Sequence, residues 1–151
     1  MKTQTLSIEQ VTALSNAIQS LSAIGEDKKP VFKLPWKFTY ALGRTLPKIE
    51  EALKPIQEQN NVIWEGWQEF ANDLNVDIAG SDAKKKAAAI KKRGAEHKKR
   101  NDEWKKVEKS SVEVEVYKFP KFEQSDAEEI QAAGLTPIML AQLAPMDLDL
   151  N

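Results

Sequence analysis

The sequence predicts a mainly α fold with a minor β part: an antiparallel two-helix hairpin projecting from a small head that holds one short β element. Three observations point there. Apolar positions recur at alternating steps of four and three from Leu42 to Leu74, and a second series of the same period, flanked by lysines, runs from Ala83 to Trp104. The one clean period-two alternation is "SSVEVEVYKF" at 110–119. The first two patterns are helical seams, and the third is a half-buried strand. A chain of 151 residues with 41% hydrophobic residues can bury one core without cross-links, and 30% charged residues favours long exposed helices. The expected organisation is a single domain over 1–151, with 1–45 and 110–151 as the head and 46–109 as the arm.

Ser7 and Gln10 form a capping-box signal, and Ile8, Val11, Leu14, Ile18 and Leu21 follow as an amphipathic stripe, so a first helix is expected over 8–23. "GEDKKP" at 25–30 is a break. "VFKL" at 31–34 reads as a short extended segment, because the residue before Pro35 is pushed out of the helical region. From Trp36 the series Leu42, Leu46, Ile49, Leu53, Ile56, Asn60, Ile63, Trp67, Phe70 and Leu74 keeps its phase through Pro47 and Pro55. An interior proline costs a helix about 3 kcal/mol. The segment is therefore either one kinked helix or a helix that restarts near 45–47 with Pro47 in its first turn.

"NVDIAGSD" at 75–82 has turn chemistry, and the second seam then comprises Ala83, Ala87, Ile90, Gly94, His97, Asn101 and Trp104. With reversal near residue 78, Trp67 faces Ile90, Phe70 faces Ala87, Ile63 faces Gly94 and Asn60 faces His97. Large side chains then oppose small ones, as close packing requires. The expected structural seam is Asn60, Trp67, Phe70, Ile90, His97 and Trp104, on a hairpin roughly 40 Å long. An Asn60–His97 layer would fix alignment, and protonation of His97 there would loosen the arms as pH falls.

Val112, Val114 and Val116 share one face of the predicted strand, whose edge groups need a partner: either 31–34 or a second copy of the chain, which would make a homo-oligomer. Ser125 and Glu128 cap a short helix over 126–133, Gly134 ends it, and Thr136 with Pro137 starts another. "APMDLDLN" reads as a frayed tail.

Net charge is −1, but it is segregated. Residues 84–106 hold eleven Lys/Arg against Glu96, Asp102 and Glu103, a surplus of about eight. Two readings compete. The lysines pair with the acids of the first arm, Glu50, Glu51, Glu58, Glu65, Glu69 and Asp73, or they track a phosphate backbone. Less Lys48 and Lys54 on the same arm, the acids leave a net −4 that offsets half of the surplus, so a basic outer face represented by Lys85, Lys92, Lys99 and Lys106 stays available to a partner. Trp64, one position past the seam, is the expected outward-facing hot spot. Trp104 lies on the seam rather than among the lysines, so no aromatic interleaving favours nucleic acid.

Nothing points to an enzyme. His97 is the only histidine, there is no cysteine, and neither GxxxxGK nor GxGxxG occurs, so no cofactor and no metal site is predicted. No apolar run approaches the roughly 18–20 residues that span a bilayer, and "MKTQTLSIEQ" lacks signal-peptide character, so a soluble, unexported chain with no membrane contact is expected.

Four segments, "LSNAIQSLS", "KFTYALGRTLPKIEEALKPIQEQ", "VEVEVYKF" and "LTPIMLAQL", resemble in order and spacing a widespread family of small uncharacterised proteins of tailed bacteriophages and prophages. They carry helical patterns and no catalytic residues. The resemblance implies an accessory protein acting in the cytoplasm of an infected bacterium, in virion assembly or in interference with a host factor. The expected function is non-enzymatic binding of a phage or host protein through the hairpin. The alternative is nucleic-acid binding by the basic helix 84–106.

Overall fold

The computed structural model describes residues 1–151, which fold as two compact units: Met1–Lys54 with Ser110–Asn151, and Pro55–Lys109. The class is mainly α with one small sheet. The second unit begins at Pro55 rather than at residue 46.

In the first unit, β1 (Lys2–Ser7) pairs antiparallel with β2 (Ser111–Val116), in register from Lys2 opposite Val116 to Ser7 opposite Ser111. The partner of the valine strand is thus the N-terminal segment, and 31–34 forms no strand. The Thr3–Thr5 alternation and the buried Leu6 supply the β character that the capping signal of Ser7 overshadowed. Ser7 does both jobs. It ends β1 and caps α1 (Ile8–Leu21): its Oγ accepts from Gln10 N–H at 3.1 Å, and Gln10 Oε1 accepts from Ser7 N–H at 2.9 Å. The first amide of α1, Ile8 N–H, donates to Ser110 O at 3.1 Å, tying the helix start to the strand pair. The stripe Ile8, Val11, Leu14, Ile18 and Leu21 is buried as its spacing requires.

α2 (Trp36–Ile63) runs through Pro47 and Pro55 as a single helix. Within the first unit Phe38, Ala41, Leu42, Ile49 and Leu53 are buried. Phe38 stacks on Phe119 at 4.6 Å and lies 6.1 Å from Phe122, so three phenylalanine rings close the core behind β2. Thr45 is fully buried beside them: its Oγ1 accepts the Tyr117 N–H at 3.1 Å and lies 3.5 Å from Tyr117 O, to which it donates. It satisfies the backbone where β2 ends.

α5 (Gln124–Ala132) and α6 (Pro137–Gln142) follow, the latter capped by Thr136 with Pro137 in its first turn. The tail is docked, not frayed, as far as Asp147. Leu143 and Met146 are fully buried, Phe119 N–H donates to Met146 O at 2.9 Å, Gln4 Nε2 donates to Pro145 O at 2.7 Å, and Lys118 pairs with Asp147 at 2.6 Å. Two buried apolar side chains spaced by three residues outweigh the entropy of ordering a short terminus.

The second unit comprises the last turns of α2, then α3 (Trp67–Ala79) and α4 (Ala83–Glu108). Asp82 caps α4 by accepting from the Lys84 and Lys85 amides. α3 and α4 form an antiparallel pair: Asn75 meets Arg93, while Trp67 meets His97 and Arg100, so one number falls as the other rises. No helix of the protein is long and apolar enough to cross a membrane.

Candidate protein-binding surface on the helical hairpin

The geometry of this surface originates at a break that the four-three series conceals. Trp64, Glu65 and Gly66 leave the helix between α2 and α3, with Gly66 in the left-handed region at φ 74°. That conformation is accessible to glycine at little steric cost. The break leaves carbonyls at the end of α2 without helical partners. Arg100 supplies them: its Nη1 donates to Ile63 O at 3.2 Å and to Glu65 O at 2.6 Å, while its Nε pairs with Glu96 at 3.0 Å. The guanidinium carbon also sits 5.9 Å from the Trp67 ring centroid. One forked cation thus caps a helix, holds a carboxylate and covers an indole, a combination that lysine cannot reproduce.

Around this arginine lies an aromatic cluster. Trp64 and Trp67 meet edge-on at 5.8 Å, and His97 lies 5.2 Å and 5.3 Å from the two rings. Phe70 stacks on Trp67 at 6.0 Å and carries Lys92 Nζ 5.8 Å from its centroid. Trp64, Trp67, Phe70, Asn60 and Trp104 are half-buried, whereas His97 is exposed. Trp64 therefore packs within the cluster instead of facing outward.

The register expected from the seam is corrected here. Trp67 meets His97 and Arg100, not Ile90, and His97 meets two tryptophans rather than Asn60. Ile90 is 46% exposed while its neighbour Ala89 is 4% exposed, so the inward stripe of α4 is Ala89, Arg93, Glu96 and Arg100. The cause is the length of α3. It continues through Asn75–Ala79, because Ile78 extends the half-buried series Phe70, Ala71, Leu74, and the chain reverses at 80–82 instead of near 78. Three residues out of helix at 64–66 also interrupt the phase that carried the seam across Ile63. Glu96 and Arg100 were missed; their spacing of four on one helix face was the available signal.

Beside the cluster a groove of about 630 Å³ opens between the end of α2 and the last turns of α4. Pro55, Val62 and Ile63 line one wall and Val107 the other, with Glu58, Glu103 and Lys106 at the rim. Val62 is 70% exposed. Lys106 thus joins the groove, Lys92 covers Phe70, and Lys85 and Lys99 stand exposed.

The acids of the first arm do not hold the lysines. The ion pairs of the protein are Lys48–Glu115, Glu96–Arg100 and Lys118–Asp147, none of which joins a lysine of α4 to α2 or α3. No group of three or more His, Cys, Asp or Glu side chains is placed to hold a metal ion. Comparison with protein-family models, curated proteins and solved structures finds no match to this chain.

Proposed function

We propose that the protein is a non-enzymatic accessory protein of a tailed bacteriophage that binds a phage or host protein through its helical hairpin. The supporting observation is that the hairpin unit is short of buried apolar surface while presenting an open apolar groove. Of its hydrophobic side chains only Ile56 and Ala89 are buried, α3 has no buried residue, and Val62, Val76 and Ile90 are exposed. Two helices cannot enclose an apolar stripe between them, and a third helix laid along the groove completes the packing. An amphipathic helix with apolar residues at three- and four-residue steps fits that need, its flanking charges meeting Lys106 and Glu103 at the rim. The site of action in this reading is the host cytoplasm or the virion.

Affinity purification of the tagged protein from infected cells tests it. A single partner, recovered with the native chain and lost with Val62→Asp, is the expected result. Val62 is exposed, so the substitution leaves the fold intact. Equal recovery with both chains sinks the groove as the docking site.

One observation favours a second reading. Lys85, Lys92, Lys99 and Lys106 recur every seven residues, about 10.5 Å apart along α4, without carboxylate partners. Such a row suits sequence-indifferent contact with nucleic-acid phosphates. In that case retention on duplex DNA or RNA is strong near 50 mM salt and log affinity falls linearly with log salt. Absence of retention at roughly 50 mM salt removes this reading.

A further inference from the structure

The first unit carries a separate exposed aromatic feature. Trp36 and Tyr40 lie four residues apart on one face at the start of α2, 70% and 49% exposed. Their rings meet edge-on at 6.2 Å and 68°, and Tyr40 in turn meets Tyr117 edge-on at 5.7 Å and 86°. Three rings in a row, each turned across the next, form a ladder with two notches. Together with Lys37 and Pro120 they line a shallow hollow of about 470 Å³. The ladder is fixed from below: the buried Thr45 holds the Tyr117 backbone, and Phe119, two residues on, is stacked on Phe38 in the core. The half-buried Tyr117, held at its backbone, gives the row a fixed end against which Tyr40 packs.

We infer that the Trp36–Tyr40–Tyr117 ladder binds a proline-rich segment of another protein in the polyproline II conformation, with an acidic residue of that segment beside Lys37. Polar complementarity carries the choice of ligand. The indole N–H and the ammonium can only donate, the two phenol hydroxyls can donate as well as accept, and no carboxylate or side-chain amide lines the hollow, so donors are in excess. A polyproline II chain is the matching opposite: its carbonyls are acceptors without internal partners, and its pyrrolidine rings are flat apolar wedges for notches between aromatic rings. Its stiffness spares the ordering cost of a flexible peptide. Two ring-to-ring steps near 6 Å accommodate roughly four residues at ~3.1 Å each. A sugar would stack on the same rings, but its many hydroxyl donors are best met by carboxylates and side-chain amides, and this lining offers only the two phenol oxygens as side-chain acceptors. Lys37, the one charged residue of the lining, selects an acidic flank.

The test is an NMR titration of the ¹⁵N-labelled full chain with a glutamate-capped oligoproline. A glycine–serine peptide with the same cap and a linear glucose oligosaccharide serve as the other probes. The Trp36 indole N–H and the Tyr40 and Tyr117 amides are expected to shift with the oligoproline at about 1 mM or below, and with neither other probe. Trp36→Ala, at an exposed position, is expected to weaken binding about tenfold or more. Tyr40→Phe, which keeps the ring and removes one donor, is expected to weaken it several-fold, and Lys37→Glu to reverse the preference from a glutamate to a lysine cap. A stationary Trp36 resonance overturns the inference, as does equal response to the glycine–serine peptide, response to the oligosaccharide in place of the peptide, or unchanged affinity in Trp36→Ala.

Discussion

At the scale of single residues, Thr45 shows how one hydroxyl connects fold and surface. It occupies a fully buried position on α2 next to Leu46, which the apolar series includes and which is half-buried. A threonine there is tolerable because its Oγ1 satisfies the Tyr117 amide at 3.1 Å, a group that would otherwise be buried without a partner. Valine has the same shape and no acceptor. Thr45→Val is therefore expected to destabilise the protein by about 1–3 kcal/mol, the cost of an orphaned buried donor, whereas Thr45→Ser keeps the bond and costs less. Urea unfolding curves of the two variants decide this; equal losses would mean that packing, not the hydrogen bond, sets the requirement. The polar residue was invisible to a reading that followed apolar letters alone. Arg100 escaped for the same reason: its guanidinium covers Trp67 and caps α2, yet by composition it is one of eleven cations in a charged run.

At the scale of elements, the helices were legible wherever a cap and a stripe coincided. α1 has both, with Ser7 and Gln10 at its start and five apolar residues on one face, and the structure reproduces it. α6 was legible from its cap alone, Thr136 with Pro137, because none of its residues is buried. β1 was lost because Ser7 serves two elements at once, and only its helical role leaves a sequence signature. The hairpin is the mixed case: its antiparallel pairing was readable from two seams, but its register depended on where the chain turns and on three residues that step out of helix at Gly66. A glycine inside an apolar series gives little warning of that exit. Gly94 separates the two registers. Facing Ile63 it would need to stay small, but it is exposed and an added Cβ would meet nothing within 4 Å. Gly94→Ala is therefore expected to stabilise α4 by roughly 0.5–1 kcal/mol through helix propensity alone. Thermal melts of the full chain measure it, and a lower midpoint would restore the tight seam at that position.

Across the whole molecule the two units differ in how much apolar surface they remove from water, and that difference links stability to the proposed binding role. The first unit buries residues from β1, α1, α2, β2, α5 and the docked tail, among them Leu14, Ile18, Phe38, Val116, Ile130 and Met146 at 0% exposure. The second fully covers little beyond Ile56 and Ala89 and relies on half-buried rings and Arg100. Burial contributes about 25 cal/mol per Å² of apolar surface, so the second unit has less to oppose its local opening. Native-state hydrogen exchange is expected to show the amides of α3 and α4, Leu74 for example, opening at lower denaturant than those of α1 and β2 such as Ile18 and Val114. Identical protection in both units would show that the hairpin opens only with global unfolding, and would remove the reason for it to need a partner. An apolar helix seated in the Val62 groove should instead raise protection along α2 and α4 selectively, because it supplies the buried contacts that the pair lacks. A polyanion along Lys85, Lys92 and Lys99 would neutralise charge without covering the groove, leaving α3 as labile as before.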